Sequence, residues 1–313
     1  MRSYTARHQT ASLSADLELG PKLGLGMTET VAEPAEPDAN GAAPEPQRGP
    51  SIGDVARVGS KLVFATADLF LGRWPGPRFL IYHQIGTYRR RQMEVGRKVF
   101  EGQLSWLQSH GRVVRLEDAL RSRGTPTAAS DFVLTFDDGY ADLFEVAFPL
   151  LVRDNLPFVL YLATGHVESG EPMSPGATPL SWDQIGTMNE SGLMSLGAHT
   201  HEHLDLRRAS LHKVEEDLGR SDELISRRVG VNPRHFAYPW GYWSSIADTV
   251  VRSRYDSAAL GGGPPITADT DPYLLHRLPV QRSDGMLFFK RKAKRGMRIE
   301  EKTRRWLRGY YLP

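Results

Sequence analysis

The sequence predicts an α/β domain built on a parallel sheet or barrel, and three observations carry the prediction. Short apolar runs alternate with helix-period segments, the succession that builds parallel βαβ units. Several of these runs end in Asp or His followed by Gly or another polar residue, at the strand ends where α/β folds place their sites. The chain has 313 residues, enough to bury a large core, and its composition is that of a soluble globular protein.

Cysteine is absent, so disulfides and thiolate ligands are excluded and any metal must be held by His, Asp or Glu. The net charge of +2 conceals an asymmetry: residues 1–50 are acidic and residues 289–313 strongly basic. Residues 1–55, with repeated Glu-Pro and Ala-Pro, have little to bury and are expected to be a disordered tail. The expected catalytic domain spans 56–288, and 289–313 form a basic tail with Trp306, Leu307, Tyr310 and Tyr311 interleaved. Such a tail suits an anionic membrane surface; a nucleic-acid role would rest on it alone and is not expected. No apolar leader is visible, and the run Leu62–Leu71 is too short for a bilayer and carries Asp68. The expectation is a cytoplasmic protein, or one peripheral to the inner membrane face.

In chain order, Arg78–Ile85 reads as a buried parallel strand bringing His83 to its end, where it either serves a site or makes a structural hydrogen bond. Phe100, Leu104, Trp106 and Leu107 mark a helix that Gly111 stops, and a second helix begins near Leu116. Phe132–Leu134 then leads into Thr135-Phe136-Asp137-Asp138-Gly139-Tyr140. Adjacent carboxylates at a buried strand end repel, and a cation or a hydrogen-bond network must offset that cost. Tyr140–Val152 is expected to be helical, Leu156–Leu162 the next strand, residues 165–180 a surface loop beside a cleft, and Ser181 the N-cap of another helix. A second apolar strand, Leu193–Ala198, ends in His199-Thr200-His201-Glu202-His203. On one helical turn or in a tight loop, His199 and His203 can face one ion, while His201 faces elsewhere. A charged helix over Leu211–Arg228 follows, then His235–Gly241 with an aromatic Pro-Trp-Gly turn, and last strands at Tyr255–Leu260 and Leu275–Val280.

An Asp pair and a His-x-x-x-His pair at two strand ends converge on one face of such a sheet. A set of one Asp and two His leaves coordination positions open, as a catalytic metal site requires.

Thr135-Phe136-Asp137-Asp138-Gly139 and His199-Thr200-x-x-His203 resemble the first two signature motifs of the polysaccharide deacetylases, the NodB-homology carbohydrate esterases of family four. Phe236–Gly241 is similar to the third. The resemblance covers about residues 75–285 and implies a distorted (β/α) barrel of about seven parallel strands. It implies metal ligation by Asp138, His199 and His203, with zinc first and cobalt, manganese or nickel as alternatives. It further implies Asp137 as general base, a backbone N–H near Trp240 as oxyanion contact, and removal of acetyl groups from a glycan, most simply N-acetylhexosamine units. Relatives of this fold also open other amides, and an inactive carbohydrate-binding protein would share the motifs.

The sequence departs from the family pattern in three places, one of them the tryptophan-containing fourth motif, which is not evident. Ala237 stands where many members have an arginine that braces the base, leaving Arg277 or Arg234 to replace it. The usual C-terminal histidine acid has His276 as its only late candidate; His83, lying before the Asp pair as in circularly permuted members that process exported poly-N-acetylglucosamine, is the expected acid instead.

Overall fold

The protein is described here by a computed structural model that covers residues 59–62, 75–86, 91–173, 176–297, 299, 300, 302 and 303. The acidic segment 1–55, nearly all of the Leu62–Leu71 run, and Trp306, Leu307, Tyr310 and Tyr311 of the basic tail lie outside the described residues.

Seven parallel strands close a barrel in the order β1 (Arg78–Tyr82), β10 (Leu275–Pro279), β9 (Ser257–Gly261), β8 (His235–Ala237), β7 (Met194–Ala198), β6 (Phe158–Leu162) and β5 (Asp131–Asp138), with β5 pairing back onto β1. A short β4 (Arg112–Val113) is added at the start of β5, and β2 (Gln84–Ile85) pairs with β3 (Glu94–Val95) as a separate ribbon. The expected distorted barrel of about seven strands is the observed one. Closure removes the sheet edges, and the strands are buried on both faces, which is why they read as continuous apolar runs.

Side-chain alternation divides the strands into two sets. Phe79, Val133, Val159, Tyr161, Ala237, Ala259 and Leu275 form one apolar cluster inside the barrel. Leu80, Leu134, Phe136, Leu160, Leu196, Phe236 and Leu260 belong to a second cluster that packs under the helices. Those helices are α1 (Arg97–His110), α2 (Leu116–Ser122), α3 (Phe148–Arg153), α4 (Thr164–Ser169), α5 (Trp182–Glu190), α6 (Leu211–Val229), α7 (Ser245–Arg254) and α8 (Gly285–Arg295). Helix α2 sends Leu116 and Ala119 into the interior cluster and so covers the end where the strands begin. There Glu117 accepts from His235 Nε2 at 3.2 Å and from Ser195 Oγ at 3.4 Å, and His235 Nδ1 lies 2.9 Å from Ser257 Oγ.

Three local readings differ from expectation. The helix expected over Tyr140–Val152 opens as a π-turn, Leu143–Ala147, before α3, with Phe148 N–H donating to the Leu143 carbonyl. Pro149 in the first turn of α3 has no N–H for the carbonyl four residues back, and the wider turn accommodates this. The 165–180 stretch is partly helical, because α4 occupies its start. The basic segment expected from residue 289 begins inside α8, where Phe289, Lys292 and Ala293 are buried. By contrast, α6 follows its expected span with Val214, Leu218, Leu224 and Ile225 inward, and Ser181 caps α5 in a reciprocal capping box with Gln184.

Candidate metal centre and active-site cleft

The strand ends opposite α2 open into a cleft of about 480 Å³, lined by His83, Asp137, Asp138, Tyr140, His199, His203, Trp240, Tyr242 and Arg277 among others. All six residues singled out from the sequence reach it. His276 does not. Alternation along β10 explains this: Leu275 belongs to the interior cluster and Arg277 follows it inward, whereas His276 takes the other face and joins its Nδ1 to the Gly262 carbonyl at 2.8 Å.

Asp138 and Asp137 separate because β5 ends between them. Asp137 continues the inward parity of Val133 and Thr135. Asp138 has φ 74°, and Gly139 follows at φ 99°, where a Cβ would stand 2.6 Å from Leu162 Cδ1. Only glycine fits that exit. The turn swings the Asp138 carboxylate toward the β7 loop, where its Oδ1 lies 3.4 Å from His199 Nε2 and 3.3 Å from His203 Nε2. The loop is irregular, not a helical turn, with Thr200 at φ 67° and His203 at φ 52°.

The donor set fits a divalent cation. His199 Nδ1 lies 2.7 Å from the Ala237 carbonyl, which can only accept, so Nδ1 carries the proton and Nε2 presents a lone pair. That lone pair meets Asp138 Oδ1, a buried oxygen with no hydrogen-bond partner. Facing acceptors need something positive between them. One donor atom from each of Asp138, His199 and His203 lies within 4.8 Å of the others. Ligands about 2.0–2.2 Å from a tetrahedral ion stand about 3.3–3.6 Å apart, the spacing seen from Asp138 to each histidine.

Asp137 makes a different set of contacts. Its Oδ1 accepts from Arg277 Nη1 at 2.6 Å and its Oδ2 from Nη2 at 2.8 Å, a two-pronged pair with both side chains buried. Arg277 also donates to Thr135 Oγ1 at 3.0 Å and lies over the Tyr161 ring, 4.9 Å from its centroid. Burial raises the Asp137 pKa, and the Arg277 guanidinium, together with His199 and His83, more than reverses this. Arg277 thus occupies the bracing position, from β10. Arg234 instead pairs with Asp256 at the surface. Ala237, also inward, leaves the interior volume that Tyr161 and Arg277 fill.

His83 sits just past β1, the strand hydrogen-bonded to β5. Its Nδ1 is buried without a hydrogen-bond partner, and burial holds the imidazole below its ordinary pKa despite the pull of Asp138 and Asp137. Trp240 has φ 61° in the turn Pro239–Gly241 and is 62 % exposed; its ring stands 5.0 Å from that of His203. Sequence reasoning did not reach Tyr140, Tyr242 or Asp217. Tyr140 directly follows the Asp-Asp-Gly turn and Tyr242 follows Pro-Trp-Gly, so both lay next to motifs already recognised.

Residues 124–254 match the sequence profile of the family described as polysaccharide deacetylase. Over that stretch the chain is similar to the polysaccharide deacetylases. A poly-beta-1,6-N-acetyl-D-glucosamine N-deacetylase of Staphylococcus aureus is 26 % identical over 172 residues, covering 51 % of this chain and 58 % of that protein. The protein of the same name from Staphylococcus epidermidis is 24 % identical over 209 residues, 62 % of this chain and 71 % of its own. Thus the chain spans little more than half the length of the S. aureus relative. Among solved structures, IcaB from Ammonifex degensii matches with a TM-score of 0.60 and 25 % identity, over 70 % of this chain and 96 % of that one. The matched residues include Asp137, Asp138, His199 and His203. His83 and Arg277 lie outside them, and the barrel closure through β1 and β10 brings those two to the same cleft.

Proposed function

We propose that this protein is a metal-dependent deacetylase acting on N-acetylhexosamine units of a β-1,6-linked N-acetylglucosamine polymer or a closely related glycan. The observation that carries the reading is the division of labour at the end of β5. Asp138 joins two histidines as a three-donor cluster with open positions, while the adjacent Asp137 is ionised and aimed by Arg277. The names of the relatives supply the glycan class.

A divalent cation held by Asp138, His199 and His203, zinc by preference for this donor set, would polarise the acetyl carbonyl and acidify the attacking water. Asp137 takes the proton of that water as its oxygen bonds to the carbonyl carbon. The amide oxygen gains the charge, and we assign its second contact to a backbone N–H near Trp240, a residue of the cleft lining. Collapse breaks the C–N bond, acetate departs and the sugar nitrogen needs a proton. We assign its delivery to His83, which lines the cleft; of the other histidines there, His199 and His203 are read as ligands and His166 bonds the Glu171 carbonyl through Nδ1. Burial lowers the His83 pKa and so eases release of its proton to the sugar nitrogen; the proton that Asp137 took from the water then restores His83, and the cycle closes with no net gain or loss. The exposed face of Trp240 offers a platform for a pyranose ring.

The test is acetate release from poly-β-1,6-N-acetylglucosamine, chito-oligosaccharide and acetylated xylan, with zinc, cobalt, manganese or nickel supplied and after chelation. Asp138→Ala should lose the metal, whereas Asp137→Asn should keep it and lose turnover. No acetate from any of these glycans, with metal verified in the protein, would overturn the assignment. Full activity in Asp137→Asn would remove that residue from the role of base.

A further inference from the structure

We infer that Asp217, on helix α6, is a positioning residue for the metal centre, and that it sets the affinity of the site by fixing the loop between the two ligand histidines. The inference rests on the reading of Asp138, His199 and His203 as metal ligands and goes one layer beyond them.

The loop from His199 to His203 cannot hold itself. Thr200 and His203 both have positive φ, a conformation that non-glycine residues adopt at a cost unless the surroundings impose it. The imposition comes from α6. Asp217 is 2 % exposed, and its two carboxylate oxygens accept the backbone N–H groups of His201 at 2.7 Å and Glu202 at 3.0 Å. Those two amides belong to residues between the ligands. One rigid side chain on a 19-residue helix therefore fixes the peptide planes that lead into His203.

A second anchor meets the same loop from the other side. His201 turns away from the cleft and joins its Nδ1 to Thr164 Oγ1 at 2.9 Å, while the His201 carbonyl accepts from Gly165 N–H at 2.8 Å. A Cβ at residue 165 would stand 2.6 Å from that carbonyl oxygen, so the approach requires glycine. His201, the histidine that ligates nothing, is the post on which the ligand pair is mounted. Hydrogen bonds to charged acceptors are the strong kind, and a buried carboxylate receiving two amides has no water to replace them.

The experiment measures zinc affinity by competition with a chromophoric chelator, on the full chain, with thermal unfolding of the metal-free protein recorded in parallel. Asp217→Asn keeps shape and volume but offers one oxygen to two donors; metal affinity should fall about 10- to 100-fold, the range for outer partners of metal ligands. Activity at saturating zinc should recover toward that of the wild type, which a general loss of structure would not allow. Unchanged affinity in a folded Asp217→Asn protein would overturn the inference. Should that variant not fold, Thr164→Val, which removes the side-chain half of the second anchor and leaves α6 intact, carries the same test: the expected result is a loss of affinity, and an unchanged affinity overturns the anchoring of this loop as the determinant. Failure of the wild type to bind zinc, or binding that survives Asp138→Ala, would instead defeat the assignment of the ligands.

Discussion

Breaking the Arg277–Asp137 pair should cost more than removing it altogether. The pair is buried, with side-chain exposures of 1 % and 5 %, and both carboxylate oxygens are committed to one guanidinium. Arg277→Met leaves a carboxylate inside the barrel with no cation, and the expected loss is about 3–5 kcal/mol. Asp137→Asn leaves the guanidinium with only Thr135 Oγ1, the Leu260 carbonyl and one amide oxygen, an expected loss of about 3 kcal/mol. The double variant buries neither charge, and methionine fills much of the volume beside Tyr161; its loss should be about 1–2 kcal/mol. The coupling is then about 4 kcal/mol or more, well beyond the spread of independent sites. Urea unfolding of the four proteins with chelator present measures it without a contribution from bound metal. Additive losses, with a coupling under about 0.5 kcal/mol, would refute the claim that Arg277 is what makes a buried, ionised Asp137 tolerable.

Glu117 should make the barrel acid-sensitive at its other end. Its hydrogen bond from His235, aided by the end of α2 and opposed by burial, lowers its pKa from 4.5 to about 2. The sign follows: the contribution is fully present above the unfolded value and is lost as pH falls from there through about 2. The shift corresponds to at most about 3.4 kcal/mol, and the carboxylate is 33 % exposed, so about 1–2 kcal/mol is expected after screening. Glu117→Gln should flatten the stability curve between pH 5 and pH 2, and a curve parallel to that of the wild type would contradict the assignment. Trp240→Ala should leave thermal stability within about 0.5 kcal/mol, because the ring is mostly exposed. It should raise KM for the glycan about 2- to 10-fold with little change in kcat, as loss of a stacking platform worth about 0.5–1.5 kcal/mol requires; an unchanged KM would take the ring out of substrate binding.

Period and motif were legible in the sequence because each is local. The strand before Asp137 and the helix from Leu211 are runs whose burial follows from their own pattern, and the Asp pair and His-x-x-x-His announce a cation by charge and spacing alone. The brace was only half legible. Arg277 and Arg234 are both late arginines, and choosing between them requires the parity of β10 relative to Leu275, which sets Arg277 inward and His276 outward. That same alternation could have removed His276 as the acid, since two adjacent strand residues cannot both face the interior. Asp217 was illegible for a physical reason: on α6 it is one acidic residue in a highly charged helix, and only the docking of a non-repetitive loop against that face makes it a double acceptor.

The strained backbone of this protein gathers where the chemistry is. Five non-glycine residues have positive φ among the described residues; three of them, Asp138, His203 and Trp240, line the cleft, and Thr200 lies in the loop that leads to His203. Each such residue costs on the order of 1–3 kcal/mol relative to an ordinary conformation, so the cleft persists only because its surroundings over-determine it. The closed ring of strands supplies that constraint from below: β5 and β7 are each hydrogen-bonded on both sides and end within the same layer. Asp217, Thr164 and the Ala237 carbonyl supply it from the flanks. Relief of any one anchor lets the loop relax toward negative φ, and the first thing lost is the convergence of three donors on one point, well before the barrel opens. Metal affinity is therefore a more sensitive reporter of this region than global stability, and variants at the flanking anchors should separate the two.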